Sequence, residues 1–460
     1  MKILQFIKQS LGILLLIITL IVVVSIRPLD DSPYEKSEFY KTMMQRLADL
    51  PAPLLDSIAA SPTPSDELNI GWSKVNMTPR FPVSTAGYGT RAGKEISAVH
   101  DSLHVRAFVF EKNKVKSAIV SCDLLIIPPE VSLQVQQELS KIGWSWQHVF
   151  IGATHTHNSM GSWGKRYIGE LFAGKYDPRI VDLITKSIVE AIRKAEQNKE
   201  PATLSYHRVN AHEFVRNRLI EDKDKGTEDP YLRFLSFKKE SGKRAALVTF
   251  AAHSTTLSDK IMQLSRDYNG ILVDKLERYN DLERAIFMSG CVGSMGPEEP
   301  AQLSDWQQAA YLGEGLEDKM GSALRTNNFL KINTLRIETI PLSMREPQWR
   351  ISENWCMRHW VWSHLYGDYD SEVKALRLGD VLMVGLPCDF SGELMQPLEE
   401  YAASKGRKLI ITSFNGGYVG YITKDSHYNL DKYETRTMNW FGPNNGAYFS
   451  EIVKKLVDKM

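Results

Sequence analysis

Cysteine is scarce in this chain: four in 460 residues, at Cys122, Cys291, Cys356 and Cys388. None is spaced as C-x-x-C, so thioredoxin chemistry and zinc ribbons lack their signature. Four are also too few to staple a disulfide scaffold of this length. Excess charge is missing as well. Lys+Arg 56 against Asp+Glu 55 leave a formal net charge of +1, hence no overall basic field for nucleic acid. Internal repeats and low-complexity tracts are absent. The chain is 43% hydrophobic, 10% aromatic and 24% charged, which excludes a mainly disordered protein. A mean hydropathy of −0.27 excludes a polytopic membrane protein. The glycine-rich turn from Gly290 to Gly296 lacks the P-loop lysine. It is not a G-x-S-x-G elbow either, because Val292 stands two residues before Ser294.

One long apolar run is present. Lys2 and Lys8 precede the stretch from Leu11 to Ile26, and Arg27, Pro28, Asp30 and Asp31 follow it. As a helix it spans roughly 30 Å of hydrocarbon. No A-x-A site follows, which favours an uncleaved anchor over a cleaved signal peptide. The lysines hold the short N-terminal end in the cytoplasm. Either reading places the remaining chain outside it. The expected organisation is therefore a transmembrane signal anchor over 1–28, a linker over 29–67 and one catalytic domain over 68–460. Proline and serine in Pro51-Ala-Pro53 and Ser61-Pro-Thr-Pro-Ser65 support the linker, with a short helix expected at Gln45–Leu50.

In the domain, short β-rich runs alternate with helical patterns. Strands are predicted at Val105–Phe110, Ser117–Ile126, His148–Ala153, Leu232–Phe237, Ala246–Ala252, Ala285–Met288, Leu335–Ile340, Ala375–Val384 and Leu409–Phe414. Helices are predicted at Glu130–Lys141, Arg179–Gln197 and Ala447–Val457. The expected fold class is α/β, a mixed β-sheet core flanked by helices.

Several strand ends carry chemistry. Phe150 to Gly161 begins as a buried strand and ends in Thr154-His155-Thr156-His157. Residues i and i+2 of a strand share a face, so both imidazoles are expected to point one way, as a metal ligand with a second ligand or an acid/base partner, or as a plain surface pair. A second apolar strand delivers His253, either to a shared metal or as a hydrogen-bonded core residue. A third runs through Leu386-Pro387-Cys388-Asp389 to Glu393, where either carboxylate completes a metal set or Glu393 caps a helix. A fourth leads to Tyr418 and Tyr421, which as aromatics are equally at home in a core. Glycine-flanked Ser294 resembles a nucleophile environment.

These segments, in this order, resemble the neutral/alkaline non-lysosomal ceramidase family. The resemblance includes Gly71-Trp-Ser-Lys-Val-Asn-Met-Thr-Pro79, Ala86-Gly-Tyr-Gly-Thr-Arg91, His100-Asp101, Ser121-Cys-Asp123, Ala153-Thr-His-Thr-His157, Phe250-Ala-Ala-His253, Ser391-Gly-Glu393, Tyr418-Val-Gly-Tyr-Ile-Thr423 and Lys432-Tyr-Glu434. It runs from about residue 70 to 460. It implies Zn2+ held by His155, His253, Glu393 and Tyr421, with His157 moving protons and Arg218 contacting the carbonyl or its anion. The implied reaction is hydrolysis of a lipid amide, with the membrane as partner through the N-terminal helix and no nucleic acid. Where the family has Gly-Asp-x-Ser-Pro, this chain reads Gly293-Ser-Met-Gly-Pro297. The family's serine position falls on Gly296, so Ser294 either substitutes for it or the function is absent. The family's C-terminal β-sandwich is expected to be missing after Phe441-Gly-Pro443. The alternatives are a metallohydrolase for another amide or ester, a catalytically impaired lipid-binding homologue, and a serine hydrolase using Ser294. Trp349, Trp355, Trp360, Val361 and Trp362 are expected to be either a lipid-facing loop or a packed core segment.

Overall fold

Along the strand His104–Lys112, Val105, Ala107 and Val109 enter one apolar cluster while Phe108 and Phe110 enter another. A strand buried on both faces needs a layer on each side. The computed structural model, which describes residues 2–52, 67–222, 226–279, 281–326 and 328–460, shows what those layers are.

Eight strands form the larger sheet: β1 (Asn69–Asn76), β2 (His104–Lys112), β3 (Val115–Cys122), β4 (Val149–Ala153), β5 (Glu200–Asn210), β6 (Tyr231–Lys239), β7 (Arg244–Phe250) and β8 (Leu282–Ser289). Their spatial order is β8-β7-β6-β5-β1-β2-β3-β4. Only β3 with β4 and β7 with β8 run parallel. A second sheet holds β9 (Leu335–Pro341), β10 (Glu372–Leu378), β11 (Val381–Gly385) and β12 (Lys408–Thr412), in that order, with β11 and β12 parallel.

The inner faces of the two sheets pack on each other. Ile70, Phe108, Phe110, Phe150 and Leu247 of the larger sheet share a cluster with Leu376, Leu378, Met383 and Ile410 of the smaller one. Phe108 and Phe110 lie 5.5 and 5.6 Å from Phe237 by ring centroids. Truncating Phe108 to alanine in so dense a layer would cost about 3–5 kcal/mol.

Helices cover the outer faces. The chain contributes α1 (Lys2–Ser25), α2 (Glu38–Ala48), α3 (Pro129–Lys141), α4 (Tyr167–Ala173), α5 (Pro178–Gln197), α6 (Asp267–Tyr279), α7 (Asp305–Leu324), α8 (His359–Leu365), α9 (Met395–Ser404) and α10 (Asn445–Lys459). α3 with α5, and α6 with α7, cover the two halves of the larger sheet. α5 shows why its sequence is helical. Ile180, Ile184, Ile188 and Ile192 recur on one buried face, Pro178 opens the first turn, and the Asp177 side chain caps the Arg179 N–H. α2, α9 and α10 cover the smaller sheet. The result is a four-layer α-β-β-α sandwich.

The expected mixed sheet flanked by helices is present, with a second sheet inside it. The single strand expected at Ala375–Val384 is a hairpin, turning at Gly379 with φ +62. The linker expected over 29–67 is partly domain. α2 begins earlier than the expected Gln45–Leu50 helix, and its Met43 and Leu47 are buried in the core. Most of the proline-rich stretch lies outside the described residues. Among the described residues, α1 is the helix long and apolar enough to cross a membrane. Past its end, Ile26–Pro28 pairs antiparallel with Trp355–Met357.

Candidate active site

The C-terminal ends of β4, β7 and β8 meet at one carbonyl. Thr154 O accepts from Ser254 Oγ at 3.0 Å, Ser289 Oγ at 3.0 Å and Asn269 Nδ2 at 2.8 Å. Beyond these ends the chain delivers His155, His157 and His253. Strand ends of this kind are where α/β sheets bind ligands.

The three imidazoles converge. His155 Nε2 lies 2.9 Å from His253 Nε2 and 3.3 Å from His157 Nε2, and the remaining pair is 3.2 Å apart. The route differs from the strand alternation expected for His155 and His157. β4 stops at Ala153, and His155 sits in the left-handed region at φ +61. Such a conformation in a residue with a Cβ is held by its surroundings. Here the Leu125 carbonyl takes the Nδ1 hydrogen at 2.6 Å and the Phe414 ring stacks on the imidazole at 3.8 Å. His157 needs Gly87, which pairs with Asn158. At φ +130, a Cβ on Gly87 would fall 2.7 Å from the His157 Cα.

Burial keeps these rings neutral. It lowers the His155 pKa to about 3, with the Arg218 charge adding to the effect. It drives His157 and His253 well below the usual imidazole range, again helped by neighbouring positive groups. Neutral imidazoles are the form that binds metals.

The carboxylate beside them is Asp389. Its Oδ1 lies 3.7 Å from His155 Nε2 and 3.9 Å from His253 Nδ1. That oxygen is buried and has no hydrogen-bond partner, which is costly for a carboxylate. Burial raises the Asp389 pKa to about 7, against hydrogen bonds from Tyr418 and Tyr421 and the Arg218 charge. Tyr418 OH donates to Oδ2 at 2.6 Å. Arg218 Nη2 reaches the Tyr421 hydroxyl at 3.2 Å, the Gly293 carbonyl at 3.0 Å and His253 Nδ1 at 3.2 Å. Its Nε pairs with Glu434 Oε1 at 3.2 Å. Burial opposes the Arg218 charge, yet Tyr421, Glu434 and Asp389 together hold its pKa above the ordinary value.

These residues fit a divalent cation. Each Nε2 offers a single in-plane hydrogen or lone pair, so three converging nitrogens cannot all satisfy one another. Nitrogen ligands of a tetrahedral zinc lie about 3.3 Å apart, and the imidazole separations are 2.9–3.3 Å. A cation would also satisfy the orphaned Asp389 oxygen. His155, His157 and His253 form the metal-competent group of three among the described residues.

Two expected residues stand apart from this cluster. Glu393 is committed elsewhere: Oε1 accepts from Asn217 Nδ2 at 2.9 Å and faces His427 Nδ1 at 3.4 Å, while Oε2 takes a short hydrogen bond from Ser294 Oγ. Burial raises its pKa, but the bonds from His427, Ser294 and Asn217 outweigh that and hold it below the usual carboxylate range. The carboxylate facing the imidazoles is therefore Asp389, four residues earlier. Ser294 is fully buried, donates to Glu393 and accepts from the Gly392 N–H at 3.0 Å. Both hydroxyl functions are used in bracing one loop against another. Gly296 lies close by, and a Cβ there would meet Arg218 Cδ at an unstrained 3.6 Å. Sequence reading missed Glu434 as the Arg218 partner and Tyr418 as the Asp389 donor. The only signal for the pair was that both residues lie in the quoted C-terminal segments.

An apolar cavity ends on the cluster. His155, His157 and Tyr421 form its floor, and Leu125, Ile126, Trp163, Phe172, Tyr366, Met438 and Trp440 line its walls. It holds about 590 Å³ of space, counting its open mouth. The tryptophan segment divides between the two expectations. Trp362 is buried against Trp440 at 4.8 Å, whereas Trp355 and Trp360 are exposed.

The model of the neutral/alkaline non-lysosomal ceramidase N-terminal family matches residues 68–304. The chain belongs to this family. Among curated ceramidases, the neutral ceramidase of Mycobacterium tuberculosis is 22% identical over 209 residues, covering 42% of this chain and 33% of that protein. Neutral ceramidase A of Dictyostelium discoideum is 26% identical over 194 residues, covering 39% and 27%. The matches thus span about a third or less of either relative. In fold, the chain resembles the crystal structure of neutral ceramidase from Pseudomonas aeruginosa, with a TM-score of 0.74 at 18% identity, over 85% of this chain and 74% of that one. A ceramidase complexed with C2 gives 0.72 at 18% identity, over 85% and 75%.

Proposed function

We propose that this chain is a membrane-tethered, zinc-dependent amidohydrolase that cleaves the amide of ceramide-like N-acyl lipids. The observation that carries the reading is an apolar cavity ending on three converging imidazoles in a ceramidase-family chain. The cavity suits an acyl chain, and its polar floor suits the amide. α1 is proposed as the anchor, with the domain outside the cytoplasm.

By resemblance to the family, His155, His253 and Tyr421 would hold the ion, with Asp389 in place of Glu393, and His157, whose Nε2 lies 3.2–3.3 Å from the other two imidazoles, would stand beside it. Zinc bound there would supply Lewis-acid polarisation of the acyl carbonyl and acidify water. The chain's own groups do the rest. Leu125 O fixes the His155 tautomer so that its Nε2 lone pair faces inward. His157 is different. Its buried Nδ1 has no partner, so neither tautomer is locked, and its ring faces the cavity. It takes the proton of the attacking water and returns it to the nitrogen as the C–N bond breaks. Arg218 holds Tyr421 in place and sets a positive charge beside the oxygen on which negative charge develops.

The test is release of fatty acid from an N-acyl sphingosine by the purified full chain, with and without a chelator. Chelator-sensitive release supports the reading. Release blocked by serine-reactive phosphonates and indifferent to chelator would sink it. Gly296 supports a second reading, a relative that binds metal and lipid without turnover. That reading predicts bound zinc and bound lipid with no product, and restoration by Gly296→Ser.

A further inference from the structure

α1 is fastened to the segment that leads, through α8, to Tyr366 in the wall of the cavity. Past its last turn, Ile26–Pro28 pairs with Trp355–Met357, Arg358 N donates to Ser25 O at 2.8 Å, and Arg358 Nε donates to Ile26 O at 3.0 Å. The Trp360 indole donates to the Val24 carbonyl at 2.7 Å, from the first turn of α8. Trp360 is therefore level with the end of the apolar span. At 56% exposure it stands where an indole sits in a membrane interface, apolar in body and polar at the tip.

On its other side the same short helix packs behind the cavity wall. Trp362 packs on Trp440, and Tyr366, just past α8, lines the cavity wall. α8 and the Trp440 ring it packs on thus stand between the end of α1 and the cavity. α4 completes the arrangement. Its Ile168 and Phe172 line the cavity, while its Tyr167 and Leu171 point outward and are exposed. Ile168 shares an apolar cluster with Trp362 of α8. Tyr433, 46% exposed, is the most open residue of the lining. Ile351 and Trp355, beside the clasp, add further exposed apolar surface.

We propose that α4, α8 and the clasp lay the cavity rim on the bilayer surface, so that an amphiphile slides from the lipid phase to the imidazoles without crossing water. The occupant of this face is a phospholipid bilayer, because the segment that carries the face is bonded to the helix that would cross it. The inference rests on the proposed reading of α1 as a membrane anchor. It adds an orientation that anchoring alone does not require, since a tethered domain on a loose stalk tumbles freely.

The four native cysteines are buried, so a nitroxide can be attached at one introduced cysteine at a time. The full chain is reconstituted in phosphatidylcholine vesicles with labels at Tyr167→Cys, Leu171→Cys or Ile351→Cys. Leu15→Cys on α1 and Leu330→Cys, beside β5, serve as references. Collision with oxygen against a water-soluble nickel chelate reports depth. The expected result is lipid exposure at positions 15, 167, 171 and 351 and water exposure at 330. Lipid at 15 with water at 167, 171 and 351 overturns the orientation and leaves the anchor standing. Water at 15 overturns both. In the activity arm, the double variant Tyr167→Ser/Leu171→Ser should slow hydrolysis of vesicle-embedded N-acyl sphingosine about tenfold while a water-soluble short-chain amide is cleaved at the original rate. Equal rates for both substrates would overturn the proposal.

Discussion

His155 Nε2 and His253 Nε2 lie 2.9 Å apart although 98 positions separate them in the chain. Each is aimed at the other by a main-chain feature, the left-handed backbone of His155 and the exit of His253 from β7. Two neutral nitrogens held this close fit a shared cation. His155→Ala should remove the ion and lower amide hydrolysis about 100-fold or more. Metal analysis of the purified full chain checks the first and fatty-acid release the second. Stripping with a chelator should reproduce the loss, and added zinc should reverse it.

Asp389 and Glu393 make opposite predictions. Asp389→Asn should weaken metal binding about 10–100-fold with a folded protein, because the orphaned oxygen loses its charge. Glu393→Gln should keep the ion and lower stability by about 1–3 kcal/mol, because the buried acceptor of Ser294 and Asn217 changes character. Metal titration and thermal unfolding of the two variants separate the roles. Metal loss in the Glu393 variant alone would restore the assignment expected from resemblance.

Ser294→Ala should cost about 1–2 kcal/mol of stability, since the Glu393 and Gly392 partners lose their bridge. Hydrolysis per folded molecule should persist, and phosphonate reagents should leave Ser294 unlabelled. Gly296→Ser should fold normally, because the added Cβ meets Arg218 at ordinary contact distance. Thermal midpoints and mass spectrometry of treated protein decide both points.

Lys374 gives a pH prediction away from the site. Burial lowers its pKa from 10.5 to about 8, against the pull of Glu372 at 2.8 Å. The folded chain then binds fewer protons than the unfolded chain between those two values. Stability contributed by this group therefore rises with pH across that window. Relative to Lys374→Met, the native protein should gain about 2 kcal/mol between pH 7.5 and pH 10. Thermal unfolding of both proteins at the two pH values measures it, and parallel behaviour would refute the assignment.

Much of the fold was legible because burial periodicity is local. The isoleucine spacing of α5 and the apolar runs of β2, β4 and β7 mark elements whose side chains must face a core. The β10–β11 hairpin read as one strand because Arg377, Gly379 and Asp380 are the only breaks in an otherwise apolar run. α2 read as linker because its buried residues, Met43 and Leu47, are few and need α10 and α9 to cover them. In the site, histidines at strand ends stood out by their residue type and their place after apolar runs. Choosing Asp389 over Glu393 was not possible in that way, since both follow the same strand and both are carboxylates.

The order of residues along the chain was enough to settle the N-terminal apolar helix, the alternating α and β elements, and which imidazoles follow apolar strands. These follow from properties of neighbouring residues, namely hydropathy, period and backbone preference. Only the folded chain decided that two sheets lie face to face, that Asp389 and not Glu393 meets the imidazoles, that Ser294 bridges Glu393 and the Gly392 N–H, and that the N-terminal apolar helix is bonded to the segment beside the cavity wall. Those outcomes depend on which distant segments share space, and hydrogen bonds such as Ser294 to Glu393 or Trp360 to Val24 form only after the layers have packed.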